Sequence, residues 1–255
     1  MTQQKAERIN KYLAQAGIWS RRQADELIAQ GKVLIKGQVA QNGMKVTPGD
    51  KVELIGGKEQ KAKKQIKGSA EKIVIAFYKP IGVTCTEKDK FADKKVLDYV
   101  KTKTRVTYAG RLDKESEGLM ILTNDGDLIQ RMMKGAEKHE KEYVVKVDKE
   151  LTTEFVENMS QGVYLKELNR TTRPCPVTVE GKYTFRIVLT QGMNRQIRRM
   201  CDAFGYKVKA LRRVRIMSVE LGKMKTGESR VLTGAECAKL YTAVGMQVPP
   251  EFLTK

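Results

Sequence analysis

The sequence predicts an α+β protein in two parts. Residues 1–56 form a small α/β module, and residues 72–255 a larger domain on a mixed, largely antiparallel sheet. Three observations carry this. Helix-period and strand-like stretches are interspersed without strict βα alternation, which argues for helices beside a mixed sheet. The N-terminal part pairs two short helical patterns with a run of short β-prone segments. Between the parts, residues 57–71 are rich in lysine and poor in apolar residues, and read as a basic linker rather than an element.

In the first part, Ile9, Leu13 and Ala16 stand at helical spacing within RINKYLAQAG, and Gly17 closes the segment. A second helix starts at Ser20, where Gln23 three residues on fits a capping box. Ala24, Leu27 and Ile28 face inward there, and Gly31 stops it. Val33–Ile35, Val39–Ala40 and Lys51–Leu54 then read as short strands punctuated by Lys36-Gly37, Asn42-Gly43 and Pro48-Gly49.

The larger part opens on a β-branched strand, IVIAFY (73–78), broken by Lys79-Pro80 and Gly82. Residues 94–101 read as a short helix. The organising stretch is AGRLDKESEGLMILTNDGD (109–127). It sets Asp113 at the head of a polar loop running to Gly118. The apolar run Leu119–Leu122 follows as a buried strand, and Asn124-Asp125-Gly126 is a turn leading to a helix over 127–134. A strand over 142–147 carries Tyr143 near its start, and a helix covers 152–160. Strands 177–179 and 183–189 pair across a Glu180-Gly181 turn. A helix over 194–204 has Ile197, Met200, Cys201 and Phe204 as a core stripe. Arg195, Arg198, Arg199 and Asp202 share another face, which is either a solvated face or a clamp for phosphate and carboxylate; the chain's charge favours the clamp. Strands over 208–211 and 214–221 follow, and Thr233 with Glu236 caps a last helix.

Lys and Arg number 49 against 30 Asp and Glu, a net charge of +19. That imbalance favours a polyanionic partner, since each neutralised phosphate releases a counterion. Aromatic residues make up only 6%, so stacking platforms alone do not account for binding. The four cysteines stand at no zinc-ligand spacing and read as free, mostly buried thiols in a reducing cytosol. MTQQKAERIN has no apolar core of the kind a leader carries and no 18-residue apolar run occurs, so neither a leader nor a membrane helix is expected. The expected location is the cytoplasm. His139 is expected in an exposed loop.

The segment GRLDKESEGLMILTNDG resembles the signature of the pseudouridine synthases that modify ribosomal RNA, in the small-subunit-A-like branch. Ser116 stands where Thr is commoner. With KEYVVKVD (141–148) and QGMNRQIRRM (191–200), the pattern is most similar to the F-type, which acts on 23S ribosomal RNA. Two short helices followed by small strands resemble the S4 RNA-binding module.

The resemblance implies a twisted central sheet with an active cleft across its middle. It implies isomerisation of uridine to pseudouridine without cofactor or metal, since no oxidation occurs. Asp113 is then the indispensable aspartate, attacking C1′ or removing the C2′ proton. An opposing guanidinium would keep it ionised, and the match points to Arg198, with Ile197 packing against the base. Tyr143 matches the tyrosine that contacts uracil, and Arg111 the residue that fills the space of the everted base. YKPIGV matches an opening motif, read here as structural support beneath the site. In the S4-like module, Ser20, Arg21 and Arg22 would face RNA, with Lys11 and Lys32 nearby, because a helix start flanked by guanidiniums suits phosphate. Arg195 and Arg199 would add contacts. The expected partner is large-subunit ribosomal RNA, with transfer RNA as a second candidate and a monomer as the default state. The alternative is a non-catalytic RNA-binding or ribosome-assembly protein on the same scaffold.

Overall fold

Ser20 Oγ accepts the Gln23 N–H at 3.2 Å and Gln23 Oε1 accepts the Ser20 N–H at 2.8 Å, closing the capping box that the sequence predicts. In this computed structural model, residues 6–56, 62–66, 70–87 and 93–253 are described. They divide into two compact units. The first runs to Lys72 and takes in Thr102–Val106 and Asn124–Gly126; the second holds Ile73–Lys101, Thr107–Thr123 and the chain from Asp127 onward.

The first unit begins with β1 (Glu7–Arg8), α1 (Ile9–Gln15) and α2 (Arg21–Ala29). Strands β2 (Val33–Ile35), β3 (Gln38–Val39), β4 (Lys45–Val46), β5 (Val52–Gly56) and β6 (Ala62–Gln65) follow. The main sheet has the order β3-β2-β5-β6, while β1 pairs with β4. Ile9, Leu13, Ala24, Ile28, Val33 and Val52 make its core, so the helix-spaced apolar positions point where expected. The stretch expected to be a linker is corrected here. Its residues 62–65 form β6, antiparallel to β5, and Ile66 is buried in the same core. Composition concealed this because the pairing is made by backbone groups, which lysine supplies as well as valine does. Of the rest of the expected linker, 57–61 and 67–69 lie outside the described residues, and the Ala70 N–H donates to Gln15 O at 2.9 Å.

The second unit is built on a nine-stranded sheet among the described residues. It comprises β7 (Val74–Lys79), β8 (Thr107–Tyr108), β9 (Glu117–Thr123), β10 (Lys141–Val147), β13 (Val177–Gly181), β14 (Thr184–Leu189), β15 (Val208–Ile216), β16 (Val219–Glu220) and β17 (Ser229–Val231). A separate two-stranded ribbon pairs β11 (Tyr164–Leu165) with β12 (Arg170–Thr171). Strand order is β13-β14-β10-β15-β9-β7-β17, with β16 on β15 and β8 on β9. The β15–β9 pair runs parallel and the other pairs antiparallel. Helices α3 (Gly126–Met133), α4 (Thr153–Gln161), α5 (Gln196–Ala203) and α6 (Gly234–Ala243) accompany it.

Leu119, Met120, Ile121 and Leu122 are each fully buried, since β9 is covered on both faces. The strands expected over 208–211 and 214–221 are instead one strand, β15, followed by a tight turn at Met217-Ser218 into β16. Arg212 and Arg213 do not interrupt it because alternation sends Arg212 to solvent and tucks Arg213 inside. The β13–β14 turn falls at Lys182-Tyr183, two residues beyond Glu180-Gly181. Residues 94–101 hold a 3-10 turn at Val96–Tyr99 rather than a longer helix. Helix α5 starts at Gln196, because Arg195 takes a left-handed φ of 51° that a helix cannot include.

Candidate active site

The loop between Leu112 and Gly118 is held from two sides. From β7, Lys79 is completely buried and its Nζ donates to Pro80 O at 2.9 Å, Ser116 O at 2.7 Å and Lys114 O at 3.4 Å. The Gly82 N–H adds a bond to Lys114 O at 2.8 Å. From α5, Arg198 Nη2 donates to Glu115 O and to Ser116 Oγ, each at 3.3 Å. Within the loop, the Ser116 N–H reaches back to Asp113 O at 3.1 Å. Asp113 is thus carried on a turn whose carbonyls are claimed by two cations, and its own side chain is half-buried.

Burial pushes the Lys79 ammonium down to about 8, with Arg213 acting in the same direction and Cys85, Asp113 and Glu117 opposing it. Cys85 sits against the same loop, with Sγ 3.2 Å from Leu112 O, and its thiol is raised by burial. The YKPIGV segment therefore supplies a buried ammonium and a backbone donor beneath the loop.

A cleft of about 990 Å³ opens over this loop. Arg111, Asp113, Tyr143, Arg195, Ile197 and Arg198 all line it, so six of the expected site residues meet in one place. Among the described residues lining it, Asp113 is the only carboxylate against nine Lys or Arg: Arg111, Lys114, Lys134, Lys141, Arg170, Arg173, Arg195, Arg198 and Arg213. Such walls attract a polyanion and put one acid in its path. Tyr143 and Ile197 are buried, and Arg111 is exposed at the side of the cleft.

Two expectations change. Arg198 reaches the backbone and hydroxyl of the 115–116 step rather than pairing with the Asp113 carboxylate; its other nitrogens lie 3.4 Å from Val208 O and 3.9 Å from Glu115 Oε2. Arg199 does not line the cleft. It is spent on Asn194, through O at 3.0 Å and Oδ1 at 3.2 Å, and on an ion pair with Glu167. Helical spacing put Arg198 and Arg199 on one face, but the one-residue step turns them to opposite sides of that face. Arg195 lines the cleft and bonds Glu115 Oε2 at 3.0 Å.

In the first unit, Arg21, Arg22 and Lys32 are exposed, while Lys11 and Ser20 are half-buried. Arg21 Nη2 donates to Asn10 Oδ1 at 3.3 Å. Ser20 Oγ is committed to its own helix, so the amides left for an anion are those of Arg21 and Arg22.

The sequence reading missed Lys141, Gln191 and Arg213 in the cleft. Lys141 was discoverable, since it stands two residues before Tyr143 on one strand and shares its face. His139, expected to be exposed, has a side chain only 9% accessible, 3.2 Å from Glu137 Oε2, and it lines the cleft. Three thiols are buried and Cys85 is partly so. Among the described residues, no group of three His, Cys, Asp or Glu could hold a metal, and no helix is long and apolar enough to cross a membrane.

The RNA pseudouridylate synthase model matches residues 73–203, and the S4 domain model residues 7–52. The chain belongs to the RNA pseudouridylate synthase family. It is 44% identical over 237 residues to the dual-specificity RNA pseudouridine synthase RluF of Escherichia coli, covering 93% of this chain and 79% of that one. It is 36% identical over 242 residues to ribosomal large subunit pseudouridine synthase B of Bacillus subtilis, covering 92% and 95%. A crystal structure of a pseudouridylate synthase superposes with a TM-score of 0.66 at 26% identity, over 91% of this chain and 99% of that one. An S4 domain followed by a synthase domain with a mixed, mostly antiparallel sheet is therefore the architecture of this enzyme.

Proposed function

We propose that this synthase isomerises a uridine of 23S ribosomal RNA, with Asp113 acting at the sugar of an everted nucleotide. The observation that carries this reading is Asp113, the one carboxylate among nine cations of the described residues that line a cleft shared with the buried Tyr143. The names of the relatives, which include a large-subunit synthase, support the choice of RNA.

Asp113 either attacks C1′ or takes the C2′ proton, and both steps use its carboxylate. Tyr143 meets the uracil and Ile197 packs against it. Arg111, exposed at the cleft side, fills the space the base leaves in the RNA, where a planar guanidinium can stack and bond phosphate at once. Arg198 acts on Asp113 through the loop it holds at Glu115 and Ser116. Arg195 lies on the RNA path, as do Arg21, Arg22, Lys11 and Lys32 around Ser20 in the S4 domain; Arg199, bonded within the protein, adds at most a peripheral contact. The enzyme works without cofactor, as a monomer in the cytoplasm. Transfer RNA is the second substrate to test, since the relative RluF is named for dual specificity.

The deciding experiment supplies 23S ribosomal RNA carrying tritium at C5 of uridine. Tritium release without free uracil is expected from the wild type, and none from Asp113→Asn at RNA affinity near that of the wild type. Release of free uracil would mean an N-glycosidase, and equal rates in the two proteins would remove Asp113 from the chemistry.

A further inference from the structure

Three side-chain nitrogens among the described residues are sealed from solvent without a hydrogen-bond partner: Gln191 Nε2, Arg198 Nε and Arg213 Nη2. All three residues line the Asp113 cleft, and all three atoms are donors. Packing defects would scatter over the chain and leave acceptors bare as well. An unpaired buried donor is costly, so a set confined to one cleft points to an occupant that brings acceptors. Arg198 has its place in the reading above; Gln191 and Arg213 have none.

Arg213 is 2% exposed, and its Nε is fixed by a 2.7 Å bond to Leu119 O. Its backbone lies so close to Gly118 that a Cβ there would stand 2.5 Å from Arg213 N. The guanidinium therefore cannot swing out to a phosphate on the rim. It serves whatever goes deepest, and of an everted nucleotide that is the base. Tyr143 is the register partner of Arg213 on β15 and of Ile187 on β14, and Gln191 lies just past the end of β14. One donor thus stands on β15 and the other just beyond β14, the two strands that border the strand of Tyr143.

We propose that Gln191 and Arg213 donate to the carbonyl oxygens of the uracil and retain the ring after its bond to the sugar breaks. The inference rests on reading the cleft as a uridine isomerase site. Rejoining through C5 requires a half-turn of the ring about its N3–C6 axis, which exchanges N1 with C5 and O2 with O4. A donor aimed at either carbonyl position meets an oxygen before and after the turn, so neither side chain has to move. Cytosine would set its exocyclic amino group against one of these donors, so the pair also rejects cytidine.

The test uses the full-length enzyme in excess over 23S ribosomal RNA tritiated at C5 of uridine. It measures the single-turnover rate, RNA affinity by filter binding, and the melting temperature. Gln191→Met and Arg213→Lys are expected to slow tritium release roughly ten- to a hundredfold, at near wild-type affinity and melting temperature. Gln191→Glu, which sets an acceptor of the same shape against an acceptor, is slower than Gln191→Met. Rates within about twofold of wild type in both Gln191 variants overturn the proposal. Losses that merely track the melting temperature or RNA affinity overturn it too. Should Arg213→Lys fail to fold, the two Gln191 variants decide. A wild type that releases no tritium sinks the isomerase reading and this inference together. An inactive Asp113→Asn beside fully active Gln191 variants leaves the reading standing and removes the inference alone.

Discussion

Lys79 is the residue on which the Asp113 loop rests. Its ammonium is completely buried and donates to Lys114 O and Ser116 O on the turn that carries Asp113, and to Pro80 O beside it. Burial lowers its affinity for the proton to about 8, from an ordinary 10.5. The folded enzyme therefore sheds that proton before the unfolded chain does. Between about pH 8 and 10.5 the unfolded chain binds more protons, so this group makes stability rise with pH. The buried thiols Cys201, pushed up to about 12, and Cys175 and Cys237, each to about 11, pull the other way above pH 9. They do so equally in a Lys79→Met variant. The stability difference, wild type minus Lys79→Met, is thus expected to climb from pH 8 to 10 in chemical denaturation, and a flat difference would show the lysine to be unperturbed. The YKP string announces a turn after a strand, but it does not say that the lysine faces inward. That depends on carbonyls 35 and 37 residues further along the chain.

At the scale of elements, the parallel contact of β9 with β15 sets the geometry of the cleft. Glu117 and Gly118 pair with Arg212 and Arg213 at the point where the loop enters the sheet. Gly118 has a φ of 113° and lies against the Arg213 carbonyl, so a side chain there meets both strain and backbone. Gly118→Ala is expected to cost about 2–4 kcal/mol in denaturant titration and to slow turnover more than RNA binding. A cost below about 0.5 kcal/mol would mean the strands part easily. Helix α6 offers a separate check. Glu236 takes two bonds from Arg230, at 2.7 and 2.8 Å, and one from the Thr233 N–H at 2.9 Å, which hold its carboxyl down at about 2. A depressed carboxyl stabilises above its unfolded value of 4.5 and loses that contribution as pH falls towards 2. The stability gap between wild type and Glu236→Gln should therefore be full at pH 6 and narrow below pH 4.5, read by thermal melts. The capping box of this helix was legible in Thr233 and Glu236, because capping is local. Strand β6 was not, because its partner is the backbone of β5.

At the scale of the whole molecule, charge organises function. The chain carries a net +19, and among the described residues lining the cleft nine cations face one carboxylate. Replacing Arg21, Arg22 and Lys32 together by Ala should weaken RNA binding and make the slope of log affinity against log salt shallower by roughly 2–3. An unchanged slope would take the S4 domain off the RNA. The sequence by itself determined the class of partner, the two-part architecture, the helices with local caps, and the loop and helix that carry Asp113 and Arg198. Those follow from charge, periodicity and capping, which neighbouring residues decide among themselves. Only the tertiary structure decided that Lys79, Gln191 and Arg213 stand with Asp113, that Arg198 grips the loop rather than its carboxylate, and that Arg199 lies outside the cleft. A buried cation is identified by the carbonyls around it, and strand register brings those from distant parts of the chain.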